Sequence, residues 1–140
     1  MQAAEILMRQ IVKAFENGDL RPLFDSIDEN GIVWKSGSAQ GGPFRFGGSY
    51  AKRGGVVEVT SQLATGWSFQ CFKPKEIVSK GNVVWGLFEV AGEFRPDGDG
   101  AARPFEYECA LRWRVQGGKI VEHQAFFDTY ELFRQVDLAS

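Results

Sequence analysis

The residues best suited to chemistry in this chain of 140 residues are an aspartate and a histidine near the C-terminus. Asp128 directly follows Phe126 and Phe127, and a carboxylate among aromatic rings needs a partner, a raised pKa or a task because its desolvation is costly. Asp128 also stands where a helix would begin, with Glu131 three residues on, which is the pattern of a helix cap. A catalytic base and a helix cap are both open for this residue.

His123 is the one histidine in the sequence. An imidazole can carry protons near neutral pH, and His123 lies on the strand that leads to Asp128. A single histidine is also a common structural residue that simply makes hydrogen bonds. Proton transfer and a structural role are therefore both open for His123.

A third candidate is Glu89, an acid within the otherwise apolar segment 83–90 (VVWGLFEV). Such an acid could face a pocket and act there as a partner for Asp128. It could instead form an ion pair with Arg112 on a neighbouring strand, without any catalytic purpose.

The elements that must position these residues run in the order helices first, strands later. Apolar residues at helical spacing predict helices over 3–17, 20–27 and 52–64, and alternating segments predict strands over 32–34, 69–72, 76–79, 83–94 and 105–115. The pair Gly117-Gly118 predicts a tight hairpin turn with positive φ angles into a last strand, which a short helix follows. This order predicts an α+β fold in a single domain spanning residues 1–140.

Composition adds that the sheet should be curved around an aromatic hollow. Glycine accounts for 17 residues, well above the usual share of about 7%. Phenylalanine accounts for 12, and aromatic residues together make up 14% of the chain. Glycines in strands allow bends and bulges, and aromatic residues fill large buried surfaces or line pockets.

Charge and cysteine content exclude several classes of function. The net charge is −2 with acids and bases interspersed, so neither a nucleic acid nor a membrane is expected as a partner. Two isolated cysteines and one histidine make a metal site improbable, and no cofactor is expected. Without a signal peptide or a long apolar segment, a cytoplasmic location is the expectation.

The segment from the Gly117-Gly118 turn through GKIVEH to the aromatic pair and Asp128 resembles the end of SnoaL-like proteins. These belong to the nuclear-transport-factor-2-like superfamily, together with ketosteroid isomerases and limonene-epoxide hydrolases. The helix end FENGD at 15–19, the strand GIVW at 31–34 and the segment FGGSY at 46–50 extend the resemblance over most of the chain. It implies a cone-shaped, mostly antiparallel bent sheet with N-terminal helices on its concave face, a cystatin-like α+β barrel.

The resemblance also implies which side chains face the pocket. It places Glu108, Ala110 and Arg112 of one long strand, and Trp85, Leu87 and Glu89 of the strand before it, on the concave face. The opposite face would then form a homodimer interface through Phe88, Val90, Tyr107, Leu111 and Trp113.

Carried over residue by residue, the resemblance gives a mixed result. Asp128 matches an acid used by SnoaL-like cyclases and limonene-epoxide hydrolases, and Glu89 falls at a second acid of the hydrolases. Leu87 stands where those hydrolases have an arginine. Ala110 and Ile11 stand where ketosteroid isomerases have their oxyanion hole, which disfavours steroid isomerisation by that apparatus.

These observations predict a small-molecule-binding protein with an enclosed pocket, acting as a cofactor-independent isomerase, cyclase or hydrolase on an apolar oxygenated substrate. Asp128 would be the base, with Glu89 or His123 as the partner acid. The predicted substrate-binding residues are Trp34, Trp85, Leu87, Glu108, Arg112 and Phe127. The alternative is a non-catalytic ligand-binding or dimeric scaffold domain, which a pocket filled with aromatic residues rather than convergent carboxylates would favour.

Overall fold

The computed structural model describes residues 2–36, 48–63, 66–95 and 101–136. Within these ranges the helices are α1 (Ala3–Glu16), α2 (Arg21–Ser26), α3 (Lys52–Leu63) and α4 (Thr129–Val136). The strands are β1 (Val33–Ser36), β2 (Gly48–Ala51), β3 (Trp67–Lys80), β4 (Val83–Phe94), β5 (Arg103–Gln116) and β6 (Lys119–Phe127). Among the described residues, no helix has the length and apolar character needed to cross a membrane.

The strands form one mixed sheet in the order β2-β1-β6-β5-β4-β3. All neighbours are antiparallel except β1 and β6, which run parallel. Register shifts in β3 between Phe69 and Cys71 and between Pro74 and Glu76 are bulges, which bend a strand and increase its twist. The predicted α+β architecture is confirmed, and the sheet remains open between β2 and β3 instead of closing into a barrel.

Helix α1 packs on the inner face of the sheet through the stripe predicted from its apolar spacing. Ala4, Met8, Ile11 and Val12 are buried on that side of the helix. Gly86 of β4 allows this close packing, because a Cβ atom there would lie 2.5 Å from the Phe88 ring and 3.0 Å from the Met8 sulfur. A larger residue at position 86 would have to displace the Phe88 ring and the Met8 side chain.

The hairpin between β5 and β6 forms as the glycine pair predicts. Gly117 and Gly118 have φ angles of 57° and 77°, in the left-handed region that favours glycine. This turn fixes the register of β6 against β5, and so decides which β6 side chains face inward.

The faces assigned to β4 and β5 from the family resemblance are wrong. The predicted dimer-interface residues lie inside the fold, and the residues predicted for the concave face point to the outer face of the sheet. Of these outer residues, Trp85, Glu89 and Glu108 are exposed, and Leu87, Ala110 and Arg112 are partly buried. The inward residues, packed in or against the core, are Phe88, Val90, Tyr107, Leu111 and Trp113. The physical reason is simple: the aromatic face meets the helices and the charged face meets water. A placement error of one residue inverts every side chain of a strand.

Candidate functional site

A cavity of about 260 Å³ lies between the helices and the inner face of the sheet. Its wall is mainly apolar and aromatic. The described lining residues come from α1 and α2 with their connection (Ile11, Val12, Phe15, Gly18, Leu20, Leu23), from α3 (Thr60), and from the sheet (Trp34, Trp67, Phe69, Phe72, Tyr107, Cys109, Leu111, Trp113, His123, Ala125, Phe127). Aromatic side chains thus make up much of the described wall.

The polar groups in this wall are uncharged. The Thr60 hydroxyl donates to the carbonyl oxygen of Val56 at 2.8 Å, within its own helix. Burial raises the pKa of the Cys109 thiol to about 12 and also raises the pKa of the Tyr107 phenol, so both remain protonated at neutral pH. No carboxylate and no lysine or arginine lines the cavity among the residues that the structure describes.

His123 is the most unusual group in the wall, and three adjacent strands hold it in place. The parallel pairing of β1 with β6 sets Trp34 beside His123, and the antiparallel pairing of β5 with β6 sets Trp113 on its other side. The imidazole stacks on the Trp34 ring with centroids 3.5 Å apart and planes 10° from parallel. The Trp113 indole donates from Nε1 to Nδ1 of His123 at 2.8 Å.

This hydrogen bond determines the protonation of the ring. An indole nitrogen can only donate, so Nδ1 of His123 must be the unprotonated nitrogen and the neutral ring carries its proton on Nε2. His123 is only 6% exposed, and burial lowers the pKa of its imidazole to about 3. At neutral pH His123 is therefore a neutral hydrogen-bond donor rather than a cation.

Asp128 acts as a helix cap in the structure. Its Oδ1 accepts a hydrogen bond from the backbone N–H of Glu131 at 2.9 Å, and its side chain is exposed at the start of α4. This is the geometry that satisfies one of the unpaired donors of a first helical turn. The carboxylate is not part of the described cavity wall, so the geometry does not support its use as a base there.

Glu89 also lies away from the cavity, on the outer face of the sheet. Its carboxylate is 3.8 Å from the Lys75 ammonium, which lies closer, at 2.9 Å, to Glu108. The ion pair with Arg112 that was the alternative for Glu89 does not form, since Arg112 lies 3.7 Å from Glu122 instead. The prediction that Glu89, Glu108 and Arg112 face the pocket is therefore wrong, because all three lie on the outer face of the sheet.

The remaining predicted binding residues divide between the two faces. Trp34 and Phe127 line the cavity, as does His123, whereas Trp85 and Leu87 lie on the outer face. The sequence reasoning missed three β5 residues of the wall, Tyr107, Leu111 and Trp113, because it assigned them to a dimer interface. The strict alternation of apolar and charged residues along β5 was the signal that could have found them.

Comparison with known proteins supports the same fold. No protein-family model and no curated protein sequence matches this chain. Among solved structures it is similar to an NTF2-like protein of unknown function from Burkholderia pseudomallei, with 20% identity, 97% of this chain and 98% of that chain covered, and a TM-score of 0.83.

Two further structures are similar over nearly the whole chain. One is a putative polyketide cyclase, IdmH, from Streptomyces antibioticus, with 21% identity, coverage of 97% and 99%, and a TM-score of 0.75. The other is an LEH-like epoxide hydrolase of M. tuberculosis, with 14% identity, coverage of 96% and 89%, and a TM-score of 0.72. The identities are too low to carry an activity across. The chain therefore shares the cone-shaped α+β fold of these solved structures.

Proposed function

We propose that this protein binds a small, flat, mainly apolar molecule in the inner cavity. The observation that carries the proposal is the composition of the wall, in which aromatic and aliphatic side chains surround one neutral imidazole. Ligand sites typically combine an apolar lining with a few polar groups that fix orientation. A volume of about 260 Å³ is below the range of roughly 300–1,000 Å³ typical of drug-sized ligands, which suits a molecule of two or three rings.

Ligand binding, the alternative raised from the sequence, is better supported by the geometry than acid–base catalysis by carboxylates. Asp128 caps α4 and Glu89 pairs with Lys75, both outside the described cavity wall. The second candidate function is an isomerase, cyclase or hydrolase in which the Nε2–H of His123 stabilises negative charge developing on a substrate oxygen. A neutral donor held rigidly in an apolar site is suited to that task.

The four tryptophans provide a direct test of binding. Trp34, Trp67 and Trp113 line the cavity, and Trp85 is on the outer face, so every tryptophan of a Trp85→Phe variant reports on the cavity. We expect 9-fluorenone, a flat three-ring ketone, to quench this emission in a saturable way. Quenching that stays linear with concentration would contradict a specific site.

A matched pair of substitutions locates the site. Ala125 lines the cavity, and its paired residue on β5 is Leu111. Ala110, next to Leu111 on β5, points to the opposite face of the sheet, where it pairs with Phe126. Ala125→Phe should fill the cavity and abolish saturable quenching, with the fold confirmed by circular dichroism. Ala110→Phe should leave it intact. Equal effects of the two variants would overturn the proposed site.

We also propose that the protein forms a homodimer through the outer, convex face of the sheet, as predicted, but with other residues than those first assigned to that face, which lie inside the fold. Trp85 and Phe126 stack there with ring centroids 5.9 Å apart, and they are 41% and 43% exposed. Val78, opposite Trp85 on β3, is 53% exposed. Contiguous exposed apolar surface of this kind is typical of interfaces.

The charges around these aromatic residues favour a second copy of the same chain as the partner. The two ends of the outer face carry opposite charge excesses. At one end a lysine, Lys75, lies between two glutamates, Glu89 and Glu108. At the other end a glutamate, Glu122, lies between two arginines, Arg112 and Arg114. A two-fold axis that passes through the aromatic centre, in the interface plane and perpendicular to the line joining the two ends, would bring each end opposite the unlike end of its mate.

A further inference from the structure

The His123 ring has one nitrogen that the protein does not use. Nδ1 accepts the hydrogen bond from Trp113, while Nε2 makes no hydrogen bond with any residue that the structure describes. Nε2 also keeps some accessible surface. If it were fully buried, it would be a buried nitrogen without a partner, and among the described residues Arg53 Nε is the one side-chain nitrogen or oxygen of that kind. Since His123 lines the cavity, a molecule bound there would lie beside the ring that carries this unused N–H.

Trp113 is what makes this nitrogen a donor. If Nδ1 carried the proton, its N–H would oppose the indole N–H of Trp113, and Trp113 Nε1 would be left without its acceptor inside the fold. Stacking on the Trp34 ring, with centroids 3.5 Å apart, limits rotation of the imidazole about the Cβ–Cγ bond of His123. The two tryptophans therefore fix both the tautomer and the orientation of the ring.

We infer that Trp113 is a positioning residue that makes His123 an obligate donor, so that the cavity selects flat apolar carbonyl compounds over hydrocarbons of the same shape. This rests on the proposed ligand-binding function and specifies its ligand class. A ketone or quinone oxygen accepts from Nε2–H, whereas the corresponding hydrocarbon leaves that donor unpaired. The described wall offers no carboxylate to bind a cationic ligand, which favours a neutral one.

The first test reads the tautomer directly and needs no ligand. Because the chain has a single histidine, the imidazole nitrogens of protein labelled with ¹⁵N-histidine give one unambiguous pair of signals. At pH 7 we expect a protonated Nε2 and an unprotonated Nδ1 in the wild type, and a mixture of tautomers in Trp113→Phe, which keeps an aromatic ring but loses the donor. A protonated Nδ1 in the wild type would overturn the inference.

The second test measures selectivity with two probes of matched shape, 9-fluorenone and fluorene, by equilibrium dialysis. One uncharged hydrogen bond should make fluorenone bind about three- to tenfold more tightly than fluorene. His123→Asn places an acceptor near the Nδ1 position but removes the ε donor, and it should abolish the preference. His123→Gln places an amide nitrogen near the ε position and should retain it.

The outcomes separate the inference from the function on which it rests. If both probes bind equally well to the wild type and are excluded by Ala125→Phe, the cavity binds ligands but the donor role of His123 is wrong. If neither probe binds, or if Ala125→Phe has no effect on binding, the proposed function fails as well. A preference for fluorenone that persists in His123→Asn would also overturn the inference.

Discussion

The indole Nε1 of Trp113 lies 2.8 Å from Nδ1 of His123, and this bond crosses from β5 to β6 between directly paired residues. It joins the only histidine of the chain to the aromatic wall of the cavity. The pair thus links the register of the sheet to the chemistry that the cavity can offer, because a slip of either strand by one residue would turn its member of the pair to the outer face.

The buried imidazole should make stability depend on pH in a defined direction. The pKa of His123 is lowered to about 3 in the fold from an ordinary value of 6.5, so the unfolded chain binds a proton that the folded chain does not. The contribution of His123 to the free energy of unfolding is therefore fully present above about pH 6.5. It falls as the pH decreases towards 3, by up to about 1.4 kcal/mol per pH unit.

The measurement is denaturant unfolding from pH 7 to pH 4 in the wild type and in His123→Asn. Tyr107 and Cys109, the other titratable groups described in the same wall, remain neutral over this range because their pKa values are raised. We expect the wild type to lose more stability on acidification than the variant. Parallel pH profiles for the two proteins would show that His123 does not remain neutral in the fold.

Asp128 provides a test of structural against catalytic roles. Because its carboxylate accepts a hydrogen bond from the Glu131 N–H, Asp128→Ala should lower the free energy of unfolding by about 1 kcal/mol, whereas Asp128→Asn retains an acceptor and should be nearly neutral. Fluorenone affinity should be unchanged in both. Loss of binding in the well-folded Asn variant would return Asp128 to the functional site.

The ion pairs around Lys75 should respond unequally to removal of their two acids. The pKa of Lys75 is raised, mainly by its hydrogen bond to Glu108 at 2.9 Å and less by Glu89 at 3.8 Å. Glu108→Gln should therefore lower the Lys75 pKa more than Glu89→Gln does, as measured by NMR of the lysine side chain. The reverse order would place Glu89 closer to Lys75 than the structure does.

The outer face should control assembly without affecting the cavity. Phe126→Glu introduces a charge beside Trp85 at the centre of the proposed interface, so we expect a folded monomer by light scattering. Trp113→Glu should instead unfold the protein, because Trp113 is buried in the core. An unchanged dimer in Phe126→Glu, or a monomer already in the wild type, would contradict the proposed interface.

Much of the fold could be predicted from the sequence because its signals are local. The glycine pair at 117–118 has the positive φ angles that its hairpin requires, and β4 begins and ends at the predicted residues 83 and 94. The stripe of α1 is buried as its spacing predicts. Strand β2 was not predicted, since its four residues, GSYA, lack a recognisable alternation and depend on pairing with β1.

The site was harder to predict because an error of one residue in placing a strand inverts which of its side chains face the cavity. Alternation along β5 correctly separates two faces, but the family resemblance assigned the charged one to the pocket. The physical rule, that Leu111 and Trp113 go inside while Glu108 goes to water, gives the observed answer. The bond between Trp113 and His123 required the pairing of β5 with β6, which no local pattern reveals.

The most direct test of ligand binding at His123 is a crystal structure of the protein with 9-fluorenone. We expect the three rings inside the cavity and the ketone oxygen about 2.7–3.2 Å from Nε2 of His123, the normal length of such a hydrogen bond. Fluorenone bound only on the outer face, or bound in the cavity with its oxygen directed away from Nε2, would contradict the assignment.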